Sequence, residues 1–139
     1  MSAASNYLES KIINLVCRGV AFTPPAKTYV ALHTANPGDT GAGEVTTTAY
    51  PAYVRQDAAK GGAQADAWVE TDNGVVKNSQ QLIYPMYDGA AALTVTHFSV
   101  WDAPTGGNLL FAAPLASSRT INNGDVFVAD SQKLTAQML

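Results

Sequence analysis

The sequence predicts a mainly β domain, an antiparallel β-sandwich or jelly-roll-like barrel, with one N-terminal α-helix. Residues 28–34 alternate with a period of two, Tyr29, Ala31 and His33 on one face and Val30, Leu32 and Thr34 on the other. That strand runs into a loop built from Asn36, Pro37, Gly38, Asp39, Thr40 and Gly41, which are backbone punctuators. Residues 98–111 read as strand, turn, strand around Asp102-Ala103-Pro104-Thr105-Gly106-Gly107, and short apolar runs between turn signals continue to the C-terminus.

The helix is expected over residues 6–18. Asn6 followed by Glu9 has the spacing of a capping box, and Leu8, Ile12, Leu15 and Val16 recur at helical spacing. Gly19 is the expected stop, and Pro24 and Pro25 lead an extended connector into the strand at 28–34. A helix this short is marginal alone, so its stripe is expected to be buried against the sheet or another subunit.

Further strands are expected at 53–57, 67–71, 74–77, 81–84, 93–101, 108–112, 125–129 and 133–138. Asp72-Asn73-Gly74 and Asn122-Asn123-Gly124-Asp125 supply tight turns. The β region occupies residues 28–139 of a single domain, since 139 residues suit one core. Tyr29, Tyr53, Trp68, Tyr84, Tyr87, Phe98, Trp101, Phe111 and Phe127 are spread over most strands and are expected in the core and at subunit interfaces.

Composition narrows the function classes. Net charge is −3 and only 14% of residues are charged, so the surface repels itself weakly and is easily covered by neighbours. The eight Lys and Arg are scattered, which argues against a nucleic-acid partner. No run approaches a membrane span or a secretory signal, so neither a membrane partner nor a secretory route is expected. Cys17 is the single cysteine and forms no internal disulfide, in keeping with a reducing cytoplasm.

Candidate chemistry is sparse. His33 and His97 both fall in strands without further ligands at metal-binding spacing, and are read as half-exposed or hydrogen-bonded strand histidines. Cys17 lies where the helix dipole disfavours a thiolate, and is read as a packed thiol. Asp39 and Glu44 bracket a Gly-rich loop but lack the ligand pattern of a calcium loop, so the loop is read as mobile or partner-contacting. Asp102 is read as a turn initiator. Trp68, with Gln64 and Glu70 nearby, has the makings of a sugar platform, and core or interface packing is the preferred reading. No nucleophile, base and orienting group can be assembled, so neither an enzyme, a cofactor nor a metal is expected.

Tyr7-Leu8-Glu9 opening the helix, residues 28–34, Asp39-Thr40-Gly41 with Glu44, Tyr53-Val54-Arg55-Gln56, and residues 98–111 together resemble small tailed-bacteriophage virion proteins of the tail fibre type. The likeness runs from the helix to about residue 111, with a weaker continuation over 124–139. It implies a noncatalytic virion structural protein, assembled in the bacterial cytoplasm. Its partners would be major capsid or tail proteins, joined as a capsid decoration (cement) or small tail-associated subunit. The resemblance also implies a homo-oligomer, a trimer by analogy, and the alternative is a tail-tip module binding a host receptor. No collagen-like, coiled-coil or β-helix shaft is present, so a compact subunit fits better than a long fibre. The expected interface residues are Leu8, Ile12 and Leu15 on the helix, Asn36, Pro37 and Asp39 in the loop, and Trp68.

Overall fold

The computed structural model describes residues 3–138; Met1, Ser2 and Leu139, included in the expected domain, lie outside the described residues. The chain is mainly β, with antiparallel sheets and one N-terminal α-helix, α1 (Asn6–Arg18). The strands are β1 (Ala3–Ala4), β2 (Tyr29–His33), β3 (Gln56–Asp57), β4 (Trp68–Asp72), β5 (Val75–Asn78), β6 (Leu82–Ile83), β7 (Leu93–Trp101), β8 (Leu109–Ile121), β9 (Val128–Ala129) and β10 (Thr135–Gln137). They form a five-stranded sheet ordered β1-β8-β7-β2-β3, a three-stranded sheet β10-β5-β4 and a two-stranded sheet β6-β9.

Helix α1 begins one residue earlier than the capping-box spacing suggests. Ser5, not Asn6, is the N-cap: its Oγ accepts the Leu8 N–H at 3.2 Å, and its hydroxyl donates to the Leu109 carbonyl. Its backbone N–H meets Leu110 O at 2.9 Å, so the bonds to β8 select between two adjacent residues that can each cap a helix. Gly19 ends the helix as expected, at φ 66°, a left-handed position that glycine adopts without a Cβ penalty.

The expected helical stripe is only partly buried. Leu8 is buried and Ile12 packs on the core, whereas Leu15 is 41% and Val16 74% exposed. The cause is position: α1 contacts β8 and β1 near its start, and its last two turns overhang them. Leu8→Ala is therefore expected to cost about 2–5 kcal/mol and Leu15→Ala less than about 1 kcal/mol in the isolated chain, read from urea midpoints.

Each expected strand has a counterpart, with limits that differ by residues. At 53–57 only Gln56 and Asp57 join the ladder, while β8 runs well past the expected end at 112. Pro114 hides that extension in the sequence, because it cannot donate to a ladder. It sits at a large bulge, where the step from Val95 to His97 on β7 spans Arg119 to Pro114 on β8. The β4–β5 hairpin turns at Gly74, φ 72°, as the Asp-Asn-Gly motif requires.

The main core fills the space between the sheets. Val30, Leu32, Phe98, Val100 and Leu110 from the five-stranded sheet meet Leu82, Tyr84, Phe127, Ala129 and Leu134. Tyr84 donates its hydroxyl to Val30 O at 2.8 Å and packs edge-on against Phe127, with 5.6 Å between centroids. Tyr50, which the strand-based list of aromatics omits because it lies in a turn, is fully buried against Tyr53 and Tyr87. These rings bury large apolar areas, while the hydroxyls of Tyr50, Tyr84 and Tyr87 find carbonyls on neighbouring segments.

Candidate functional site

Strand β2 is buried on both faces, not one. The Ala31 and His33 face carries Ser99, Trp101 and Leu109 from its neighbours, and the loop after β2 folds back to cover it. Thr34 N–H bonds Gly43 O at 3.1 Å and Val45 N–H bonds Leu32 O at 2.9 Å, so the loop returns antiparallel to the strand it left. Under this cover Trp101 Nε1–H donates to Ser99 Oγ at 2.6 Å, and His33 joins Ser99 Oγ at 2.6 Å and Ala42 O at 2.9 Å. A carbonyl only accepts, so Nδ1 carries the proton and the Ser99 hydroxyl donates to Nε2. His33 is a fully buried, hydrogen-bonded strand histidine.

Arg55 locks this loop to the 102–108 turn. Its Nε and Nη2 form a bidentate pair with Glu44 at 2.9 and 2.8 Å, and its Nη1 donates to Ala103 O and Gly106 O, each at 2.9 Å. The guanidinium lies 4.1 Å from the Trp101 ring centroid, and Tyr53 donates to Glu44 Oε2 at 2.9 Å. Planar, five-donor chemistry is what lets one side chain hold a carboxylate, two carbonyls and a ring together. Gly41, φ 75°, lies against the edge of Trp101, where an added Cβ would sit 2.4 Å from Cζ2. Asp102 is the turn initiator expected of it, accepting Asn108 N–H at 2.7 Å and its amide at 2.9 Å.

The electrostatics follow from burial and pairing. Burial works to raise the Glu44 pKa, but the hydrogen bonds and charge of Arg55, with the Tyr53 hydroxyl, outweigh it and hold the carboxyl below its ordinary value. Burial lowers the His33 pKa against the opposing pull of Ala42 O and Glu44, with Arg55 and His97 adding to the lowering. Above an unfolded value of about 6.5 both states hold His33 neutral; below it only the unfolded chain takes up the proton. Stability is therefore expected to fall as pH drops from about 6.5, and again through the lowered Glu44 value, beneath the ordinary 4.5. Urea midpoints across pH check this, and His33→Gln is expected to flatten the upper step.

The expected site residues fall in three places. Leu8 and Trp68 line one cavity between the five- and three-stranded sheets. Ile12 lines an open groove beside Ile13 and Met138. Asn36 and Asp39 are exposed in the loop over His33 and Trp101, where Asn36 Oδ1 accepts Gly38 N–H at 3.0 Å. Pro37 is buried, and its carbonyl accepts from Gly41 and Ala42, so its part is to shape the loop. Trp68 is half-buried with its N–H bonded to Thr28 Oγ1 at 3.0 Å.

Glu44 is committed to Arg55 and Tyr53, so it does not stand free beside Asp39 as a cation ligand. The loop is tied at its returning end: Thr34 N–H bonds Gly43 O, Val45 N–H bonds Leu32 O of β2, His33 bonds Ala42 O and Arg55 bonds Glu44. Cys17, expected as a packed thiol, is exposed instead because it lies on the overhanging part of α1. Arg55 and Ser99 were not legible as site residues. The available signal was an arginine beside aromatic and apolar Tyr53 and Val54 and a glutamate in a glycine-rich loop, in a chain with few charges.

The second notable surface is the outward face of α1. Ile13 is 59%, Val16 74% and, just past the cap, Val20 48% exposed, with Cys17 between them. Ile13 and Val16, three residues apart, share one face of the helix, and Val20 follows beyond the left-handed Gly19. Among the described residues no helix is long and apolar enough to cross a membrane.

No curated protein matches the chain. A family model does, described as Podophage GP4 fiber I protein gp80, over residues 3–137. That span takes in α1, all of the strands, the clamped loops and the exposed helical stripe, and so the chain belongs to this family of phage fibre structural proteins.

Proposed function

We propose that the protein is a noncatalytic, tail-associated virion subunit whose copies join through the outward face of α1 and attach to other virion proteins. The observation that carries this reading is the exposed apolar face of Ile13 and Val16 on a helix whose other end is packed, with Val20 exposed just beyond its cap. Apolar side chains exposed in this way lose free energy in water and regain it in an interface. The low charge of the chain favours such burial. A binding role also agrees with the buried His33 and the half-buried Glu44 and Arg55, which are all engaged in holding loops. The family description favours a fibre-associated place over capsid decoration.

In light scattering the purified chain is expected to run as an oligomer, a trimer by analogy with fibre proteins. Val16→Glu is expected to run as a folded monomer and to fail to enter particles lacking the wild-type protein. An unchanged mass and normal incorporation of that variant would overturn the reading.

A second reading, contact with a host receptor, draws on the clamped loop. Asn36, Gly38, Asp39 and Thr40 are exposed on a loop whose Pro37 carbonyl accepts from Gly41 and Ala42 and whose returning end Arg55 holds at Glu44, and preorganisation lowers the cost of binding. Purified protein would then compete with phage for cells, and Asn36→Ala with Asp39→Ala would remove the competition.

A further inference from the structure

One buried chain of hydrogen bonds joins β7, β2 and the loop that returns over them. Trp101 Nε1–H donates to Ser99 Oγ, the Ser99 hydroxyl donates to His33 Nε2, and His33 Nδ1–H donates to Ala42 O. His33 and Ser99 are both fully buried. The chain of donors and acceptors closes with a neutral imidazole and fails with a protonated one. A proton added at Nε2 makes that nitrogen a donor, so the Ser99 oxygen faces two donors, from His33 and Trp101, and its own hydrogen has to turn away. Among the described residues Ser99 Oγ has no other partner to receive it. A buried donor left unmade is costly, and so is a buried charge.

The charged and titratable groups around His33 do not offset that cost. Glu44, on the returning end of the loop, favours the cation but is already held by Arg55 and Tyr53. Arg55 brings a positive charge of its own, and His97, opposite His33 on β7, adds to the repulsion. Burial has the largest effect and lowers the His33 pKa below its ordinary 6.5. Acid therefore favours an arrangement in which water reaches the ring. A local one lies close at hand. The neck of the loop is closed by Thr34 N–H to Gly43 O and by His33 to Ala42 O, whereas Val45 N–H to Leu32 O and the Glu44–Arg55 pair lie beyond it and hold the returning chain.

From this arrangement we propose that the loop neck is an acid-released latch: a proton from solvent bonds to His33 Nε2, the Ser99 hydroxyl bond to that nitrogen breaks, and residues 35–43 lift from Trp101 while the rest of the fold stays closed. Release uncovers the small apolar cluster of Ala31, Trp101 and Leu109. The latch is independent of how copies of the chain associate.

Hydrogen exchange of the wild-type chain tests it, with protection taken relative to the unstructured rate at each pH. Between pH 6.5 and about 5, above the ordinary 4.5 of Glu44, protection of Thr34 N–H and of the Trp101 indole N–H is expected to fall, approaching about tenfold per pH unit. Dilute urea is expected to leave both unchanged, because a local opening exposes little surface, while the Tyr84 N–H, bonded to Phe127 O in the core, is better protected and loses protection as urea is added. His33→Gln is expected to remove the pH slope, and His97→Gln to keep it. A pH-independent protection of Thr34 and Trp101, a loss that follows urea in step with Tyr84, or a slope abolished by His97→Gln would overturn the proposal. The urea series on the wild-type chain decides between local release and global unfolding without either variant.

Discussion

Arg55→Ala is expected to destabilise the chain by about 2–4 kcal/mol, somewhat less than the cost of removing one partner from a fully buried ion pair, because the pair with Glu44 is partly buried. The side chains of Arg55 and Glu44 are only 7% and 24% exposed, so little solvent is available to replace the guanidinium. The loss also orphans the carbonyls of Ala103 and Gly106 and uncovers Trp101. Urea denaturation measures the total. Limited proteolysis gives the location: new cleavage is expected within 34–44 and 102–108 while the three-stranded sheet stays protected. Arg55→Lys is expected to recover only part of the loss, because an ammonium keeps the charge but cannot form the fork. A midpoint within error of wild type would mean that the two loops hold their places without the clamp.

The second large effect is expected at Gly41. Gly41→Ala forces a non-glycine residue to φ 75° and drives a Cβ to 2.4 and 2.6 Å from two ring atoms of Trp101. Left-handed strain costs about 1–3 kcal/mol, and overpacking a similar amount, about 1–3 kcal/mol. Gly38→Ala is the control, since it shares the left-handed backbone, φ 57°, with open space around its Cβ position. The difference between the two variants isolates the contact with Trp101. Loss of the native Trp101 fluorescence environment in Gly41→Ala and its retention in Gly38→Ala would accompany it.

The sequence was most legible where local geometry decides. Gly19, Gly74 and the Asp102 turn behave as their residue types require, and the period-two faces of β2 are the faces seen. Reading failed where distant segments decide. Ser5 and Asn6 are equally able caps, and bonds to β8, a hundred residues away in the chain, choose Ser5. The loop after β2 reads as mobile because two of its anchors, Arg55 and Trp101, are brought to it only by tertiary structure, and nothing local shows that His33 turns back to Ala42 O. The same is true of the helical stripe: spacing identifies Leu8, Ile12 and Leu15 as a row, but not where the sheet beneath them ends. Of the expected interface residues, Leu8 and Pro37 are buried, whereas the exposed Ile13 lies off the row of Leu8, Ile12 and Leu15.

Electron cryomicroscopy of whole particles tests the central claim most directly. The account predicts this fold in the tail appendages, with copies grouped about a symmetry axis and Ile13 and Val16 of each buried against a neighbouring copy. The same fold dispersed over the capsid surface, or copies whose α1 outward face points into solvent, would contradict it.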